Sequence, residues 1–102
     1  MNETEHLLEI LGEECAEVAV RVSKANRFGL SEIEPGQEFN NGERIMHEYI
    51  DLFATLEMCW ERGIIPQLSA DERFQRKQAK RAKVGKFMAY AIECGTLTGP
   101  VT

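Results

Sequence analysis

The sequence of 102 residues predicts an all-α fold, a bundle of three to four helices per chain. Three segments repeat apolar residues at three- and four-residue spacing, which is typical of helices that are buried on one side. Glycine and proline separate these segments, and no segment alternates apolar and polar residues as a half-buried strand would. We therefore expect one domain over residues 1–102, with 96–102 as a loose tail.

The first helix is expected from residue 4 to about residue 25, with Thr4 as its N-cap. Its apolar positions follow the helical period at Leu7, Ile10, Leu11, Cys15, Val18 and Val22. Residues 26–41 then interrupt the pattern with Gly29, Pro35 and Gly36, which favours a loop. At roughly fifteen residues this loop exceeds the usual connection between helices, and loops of that length in compact domains are commonly functional.

A second helix is expected over residues 42–62, with Asn40 or Asn41 as its N-cap and Gly63 as its stop. Its apolar positions are Ile45, Tyr49, Leu52, Phe53, Leu56, Cys59 and Trp60. They cover more than half of the helix circumference, and a chain of this length buries only a limited core. Self-association would cover the remainder, so we expect the bundle to be completed in a homodimer or tetramer.

The third helix carries most of the basic charge. A capping-box pattern at Ser69–Glu72 opens it, and we expect an interruption or kink near Gly85 and an end at Gly95. Seven of the twelve Lys and Arg residues lie within 73–86, whereas the first twenty residues carry five or more acids and no base. This asymmetry indicates an acidic site that faces a basic helix.

Composition excludes several classes of protein. The net charge of −5 makes nucleic-acid binding unfavourable, because such domains are usually basic. No apolar run approaches the ~20 residues of a membrane span, and the polar N-terminus lacks a signal sequence, so we expect a cytoplasmic protein without membrane contact. Cys15, Cys59 and Cys94 are expected to be small buried apolar residues in a reducing compartment.

Acidic residues lie beside the apolar faces of the first two helices. Glu14 projects into the apolar arc of helix 1, with Glu17 and Glu13 at its edges, and Glu48 and Asp51 form a similar pair on helix 2. Carboxylates gathered in a partly dry site repel one another, and a divalent cation would remove that cost. Hard oxygen ligands suit Mg²⁺ or Mn²⁺. The alternative is that these are solvated surface residues, and the pattern alone leaves both open.

The two acidic pairs also form recognisable motifs. Glu13–Glu17 fits the pattern E-E-x-x-E and Glu48–Asp51 fits E-x-x-D, in order on consecutive helices. Over roughly residues 7–90 the chain resembles the MazG-like nucleoside triphosphate pyrophosphohydrolases, in particular small phage and bacterial members. The resemblance implies hydrolysis of NTP or dNTP to monophosphate and pyrophosphate in the cytoplasm of a bacterial cell or a phage-infected host.

The same resemblance implies the site residues. Glu14, Glu17, Glu48 and Asp51 would hold Mg²⁺, with Mn²⁺ as a possible substitute, and Glu13 would join this catalytic set by placing a second ion or the attacking water. Phosphate contacts could come from one face of the third helix, at Arg76, Lys80 and Lys83, although a solvated basic face explains these residues too.

Further candidates for substrate contact lie after the acidic motif of helix 1. Lys24, like Arg21 before it, could contact phosphate or brace the carboxylates, and bracing is the favoured interpretation. Asn26 could recognise the base through its amide.

Two other functional classes remain open at this point. One is a non-catalytic helical interaction or regulatory protein that binds a metal or a nucleotide. The other is a small regulator that uses residues 73–86 on nucleic acid, against which the overall acidity weighs.

Overall fold

A computed structural model describes residues 1–100, which form three helices and no strand. They are α1 (Glu3–Phe28), α2 (Asn41–Glu61) and α3 (Ala70–Glu93). The predicted all-α class is confirmed. Among residues 1–100, no helix is both long and apolar enough to cross a membrane. The chain divides into two compact units, one of Met1–Pro66 with α1 and α2, and a second that begins at Gln67 and contains α3.

Helix α1 begins earlier and ends later than the periodicity predicts. The Asn2 side chain accepts a hydrogen bond from the Glu5 amide at 2.8 Å, so Asn2 is the N-cap. The prediction of Thr4 is wrong, because the amide oxygen two residues earlier satisfies the free N–H groups of the first turn. The helix ends at Gly29, whose φ of 103° is a conformation that glycine adopts without a steric cost.

Helix α2 begins with the capping box that its sequence allows. Asn40 accepts from the Glu43 amide at 2.8 Å, and the Glu43 carboxylate accepts from the Asn40 amide at 3.2 Å. Of the two predicted caps, Asn40 is therefore the correct one. The helix ends at Glu61, and Gly63 follows with a φ of 68°.

Helices α1 and α2 pack as an antiparallel hairpin, fixed at both ends. At one end Arg62 Nε donates to Glu3 Oε1 at 2.6 Å, and at the other Asn41 Nδ2 donates to the Gly29 carbonyl at 2.8 Å. The fully buried residues of this hairpin are the apolar Leu7, Ala25 and Cys59 and the polar Arg21, Asn41 and Thr55. Half of this set is polar, and of these Asn41 and Thr55 form hydrogen bonds within the hairpin.

The predicted loop spans residues 29–40 and is held against the start of α2. The amides of Asn41 and Gly42 donate to the carbonyls of Glu32 and Leu30 at 3.0 and 2.9 Å. Arg44 Nη1 donates to Glu34 at 2.8 Å. These bonds fix the path of a connection that has no secondary structure of its own.

In the second unit, Ser69 and Glu72 form the predicted capping box of α3. The helix then runs without a break through Gly85 to Glu93, so the expected interruption is wrong. A single glycine inside a helix costs about 1 kcal/mol relative to alanine, but it keeps its N–H and C=O in the hydrogen-bond ladder. No residue of α3 is fully buried.

The three cysteines are free thiols in different environments. Cys59 is fully buried in the hairpin, as expected, whereas Cys15 and Cys94 are exposed. The expectation of three buried cysteines therefore holds only for Cys59, because the other two project away from the α1–α2 seam or lie on the exposed α3 unit.

Candidate metal centre

Three carboxylates from two helices meet in the middle of the hairpin. Glu14 of α1 and Glu48 and Asp51 of α2 each offer one oxygen, and these oxygens all lie within 4.8 Å of one another. We call these residues the acidic triad. Glu14 and Glu48 are half-buried and Asp51 is exposed, so the triad opens to solvent on one side.

The helical repeat explains why these residues meet. Glu14 follows the buried Leu7 by seven residues, two helical turns, and so occupies the same face toward α2. Glu48 and Asp51 are separated by three residues and share one face of α2. The buried Thr55 hydroxyl donates to the Asp51 backbone carbonyl at 3.0 Å, one turn back along α2.

The triad concentrates negative charge, and no basic side chain within residues 1–100 forms an ion pair with it. Burial, followed by the charges of Asp51 and Glu48, raises the pKa of Glu14 above its ordinary value. The ion pairs found within residues 1–100 are Arg44–Glu34 and Arg62–Glu3, and neither involves the triad. The electrostatics therefore favour either a proton or a cation at this position.

Glu13 and Glu17 lie beside the triad without belonging to it. Both are exposed, and their oxygens fall outside the group that lies within 4.8 Å. Their charges nevertheless add to the rise in the pKa of Glu14, so both are close enough to act on it. Of the four predicted metal ligands, three are together and Glu17 is at the edge.

The donor set of the triad fits a small, hard divalent cation. Carboxylate oxygens are the preferred ligands of Mg²⁺ and Mn²⁺, and three of them leave coordination positions for water or phosphate oxygens. Cys15, the nearest thiol in sequence, is absent from the group, so softer metals gain no sulfur ligand.

A second feature lies at the loop end of the hairpin. A cavity of about 410 Å³ is lined by Lys24, Arg27 and Phe28 of α1, Glu32, Glu34 and Pro35 of the loop, and Asn41 of α2. Asn26 is exposed on another side of α1 and lines a separate groove with Val22 and Leu30. The predicted substrate residues Lys24 and Asn26 therefore do not share one site.

Sequence reasoning gave too little weight to Arg21 and gave no role to Glu34 and Arg44. Only 8% of Arg21 is exposed, and it forms no ion pair with the triad among the described residues, so the favoured bracing role is not seen. A signal for its burial was present, because Leu7, Glu14 and Arg21 follow one another at intervals of seven. The Glu34–Arg44 pair had no comparable signal, because it depends on the path of the loop.

The predicted phosphate-binding residues of the third helix lie in the second unit and are all exposed. Arg76 and Lys80 line one groove with Leu68, and Lys80 and Lys83 line another with Phe87 and other apolar residues. The basic and apolar side chains of α3 are thus neighbours on one surface.

Comparison of the chain with protein-family models, with curated proteins and with solved structures gives no match. The triad, its surroundings and the two motifs that supply its residues are therefore the features that bear on function.

Proposed function

We propose that this chain is a Mg²⁺-dependent nucleoside triphosphate pyrophosphohydrolase that converts NTP or dNTP to the monophosphate and pyrophosphate. The observation that carries the proposal is the approach of the Glu14, Glu48 and Asp51 oxygens to within 4.8 Å. The choice of Mg²⁺, with Mn²⁺ as a substitute, and of this reaction comes from the resemblance of the E-E-x-x-E and E-x-x-D motifs to the MazG-like family.

The role proposed for the triad follows from its charge. Burial and the charges of Asp51 and Glu48 raise the pKa of Glu14, and a divalent cation bound between the three carboxylates would offset this cost. When bound, Mg²⁺ would offset the charge of the triphosphate and lower the pKa of the water that attacks the α-phosphorus. Glu17 at the edge would complete the ligand set, and the exposed Glu13 would place a second ion or orient the attacking water.

An acidic triad needs basic residues to retain a polyanion. Lys24 is the best-supported candidate, because it is half-buried in the cavity of about 410 Å³ at the end of the same hairpin. Arg76, Lys80 and Lys83 are proposed as further phosphate contacts from α3, and Asn26 as a contact to the base. All four are exposed and therefore accessible to a ligand.

The enzyme is proposed to be a homodimer or tetramer. Met46, Tyr49, Ile50 and Phe53 form a stripe at i, i+3, i+4 and i+7 on α2, and they expose 54%, 45%, 56% and 37% of their surface. A second copy of this chain is the partner that completes the helical bundle. The cytoplasm of a bacterial cell or an infected host, where nucleoside triphosphates are abundant, is the proposed location.

One assay tests the reaction. The purified chain is incubated with a panel of NTPs and dNTPs and with Mg²⁺ or Mn²⁺ in ¹⁸O-labelled water, and the products are identified by ³¹P NMR and mass spectrometry. Monophosphate that carries the label, together with unlabelled pyrophosphate and complete inhibition by EDTA, is the expected result. Orthophosphate with a diphosphate product, or no turnover, would overturn the proposal.

Variants of the triad test the site. Glu48→Gln and Asp51→Asn should reduce turnover to the level measured with EDTA while the circular dichroism spectrum stays helical, because each removes one charged ligand. Glu57→Gln, an exposed acid on the same helix, is the matched control and should keep its activity. Tight Mn²⁺ binding that is lost in Asp51→Asn, without turnover in the parent protein, would support the non-catalytic metal-binding alternative instead.

A further inference from the structure

Arg21 is a buried cation with an unused hydrogen-bond donor. It exposes 8% of its surface, and its Nη1 atom is enclosed without a hydrogen-bond partner among residues 1–100. Most buried side-chain donors have a partner, and an unsatisfied charged donor costs more than a neutral one. This position therefore lacks an acceptor that a ligand could supply.

The surroundings of Arg21 are basic on both helices. Lys24, one turn further along α1, lines the cavity of about 410 Å³ and forms no ion pair in the described part of the chain. Arg27 lines the same cavity, with its guanidinium carbon 5.1 Å from the centre of the Phe28 ring. Arg44 approaches from α2. Arg21 and Arg44 do not line the cavity, but their charges act on Glu34, which does line it.

One loop carboxylate occupies this basic environment. Glu34 accepts from Arg44 Nη1 at 2.8 Å, and this bond is the first cause of a lowered pKa of Glu34, to which the charges of Arg44, Lys24 and Arg21 also contribute. The Glu34 side chain is 46% exposed, so water can reach it and it can leave without opening the hairpin. Glu32, the other acid of the cavity, already accepts from Asn41 at 2.9 Å.

We propose that this cavity binds the terminal phosphates of a polyphosphate through Lys24, which lines it, and through Arg44 and Arg21, which lie behind Glu34, and that Glu34 fills the anion position when no ligand is present. The identification of that ligand as the pyrophosphate end of the substrate depends on the proposed function. Arg21 lies seven residues beyond Glu14, about 10 Å along the same face of the helix, so the triad and this cavity follow one another along the hairpin. Displacement of Glu34 would give Arg44 a phosphate oxygen in place of its carboxylate and would uncover the unpartnered Nη1 atom of Arg21.

A binding experiment without metal tests the site separately from the chemistry. Inorganic pyrophosphate is titrated into the full chain in EDTA at about 0.15 M ionic strength, where distant charges are screened, by isothermal calorimetry. The parent protein should bind, and Arg21→Met should weaken binding by about tenfold or more, because a charged donor is lost. Glu34→Gln should strengthen binding several-fold, because it removes the competing carboxylate.

Two control variants change the charge in the same way outside the cavity, one for Arg21→Met and one for Glu34→Gln. Arg62→Met removes the arginine that pairs with Glu3 at the opposite end of the hairpin, and Glu38→Gln removes an exposed acid of the same loop. Both should leave the affinity within about twofold of the parent, because they change only the screened net charge.

The outcomes separate this inference from the proposed function. If Arg21→Met does not fold, as judged by circular dichroism, the higher affinity for pyrophosphate expected of Glu34→Gln tests the site without it. The proposed site would be overturned if pyrophosphate binds neither the parent nor Glu34→Gln. It would also be overturned if Glu38→Gln raises the affinity as much as Glu34→Gln does. Either outcome holds even if NTP hydrolysis is observed. If the affinity for pyrophosphate rises in Glu34→Gln while the parent protein hydrolyses no NTP, the polyphosphate site is established and the hydrolase is excluded.

Discussion

Glu14 lowers the stability of the fold in which it lies. It occupies a position of α1 where the helical repeat expects an apolar side chain, and it faces two carboxylates of α2. Burial and these neighbours raise the pKa of Glu14, which means that its ionised form is disfavoured in the folded chain. A residue that costs stability and is still placed in the seam is typical of a functional site.

Replacement of Glu14 by glutamine should therefore stabilise the protein at neutral pH. The folded chain holds the Glu14 proton more tightly than the unfolded chain does. Stability consequently falls as pH rises from the unfolded-state pKa of glutamate, about 4.3, through the raised folded-state pKa. Thermal unfolding in EDTA should give Glu14→Gln a higher Tm than the parent at pH 7, with a difference that vanishes near pH 4.

Glu9→Gln is the control for this experiment. Glu9 is exposed on the same helix and has acids four residues away on both sides, at Glu5 and Glu13. The change in Tm of Glu9→Gln therefore measures the effect of removing one negative charge from α1 outside the triad. A gain in Tm as large as that of Glu14→Gln would contradict a specific effect of the triad. Addition of Mg²⁺ should raise the Tm of the parent but not that of Glu14→Gln, because only the parent keeps the full ligand set.

At the scale of elements, the long loop is held to α2 mainly through Asn41. This residue is 3% exposed, and its amide donates to the Gly29 carbonyl at 2.8 Å and to Glu32 at 2.9 Å. Asn41→Leu keeps the approximate volume but removes both side-chain hydrogen bonds, and it leaves the Gly29 carbonyl with only the longer bond from the Glu32 amide at 3.3 Å. We expect a loss of roughly 1–3 kcal/mol in the free energy of unfolding, measured with urea.

Asn26→Leu provides the comparison for Asn41, because Asn26 is an exposed asparagine of the same hairpin. Its effect on the free energy of unfolding should stay within about 0.5 kcal/mol. If both variants lose a similar amount of unfolding free energy, the buried hydrogen bonds of Asn41 make no specific contribution to stability.

The boundaries of the helices show which features of the fold can be predicted from the sequence. Capping boxes at Asn40 and Ser69 are local signals, so the starts of α2 and α3 were predictable. The cap at Asn2 and the unbroken helix at Gly85 were missed, because Asn2 and Thr4 are both acceptable N-caps and a single glycine can lie inside a helix or interrupt it. Helical projection also places Glu14, Glu48 and Asp51 on inner faces, although it cannot measure the distance between two helices.

The remaining part of the site depends on contacts that are distant in sequence. Glu17 falls outside the triad because the packing of α1 against α2 decides which carboxylates meet. The approach of Glu34 to Arg44, ten residues away, depends on hydrogen bonds along the loop. The seven-residue spacing could have predicted that Arg21 is buried, but not that one of its donors would be unpaired.

At the scale of the whole molecule, charge and apolar surface are both unevenly distributed. Residues 1–66 contain 14 acidic and 5 basic residues, whereas residues 67–102 contain 3 acidic and 7 basic residues. Large apolar side chains remain exposed on all three helices. Monomeric proteins rarely leave such apolar stripes open, so the stripe of Met46, Tyr49, Ile50 and Phe53 on α2 is where we expect a second copy to bind.

The change Ile50→Glu places a charge in the middle of this stripe and should shift the protein from a dimer or tetramer to a monomer, because a buried unpaired carboxylate opposes association. Light scattering coupled to size-exclusion chromatography measures the mass. Ile33→Glu is the matched control, because Ile33 is 54% exposed, close to the 56% of Ile50, but lies in the loop. A monomeric parent protein would exclude the proposed assembly, and an oligomer that persists in Ile50→Glu would place the interface elsewhere. Dissociation in Ile50→Glu alone, with helical content retained, assigns the interface to this face of α2.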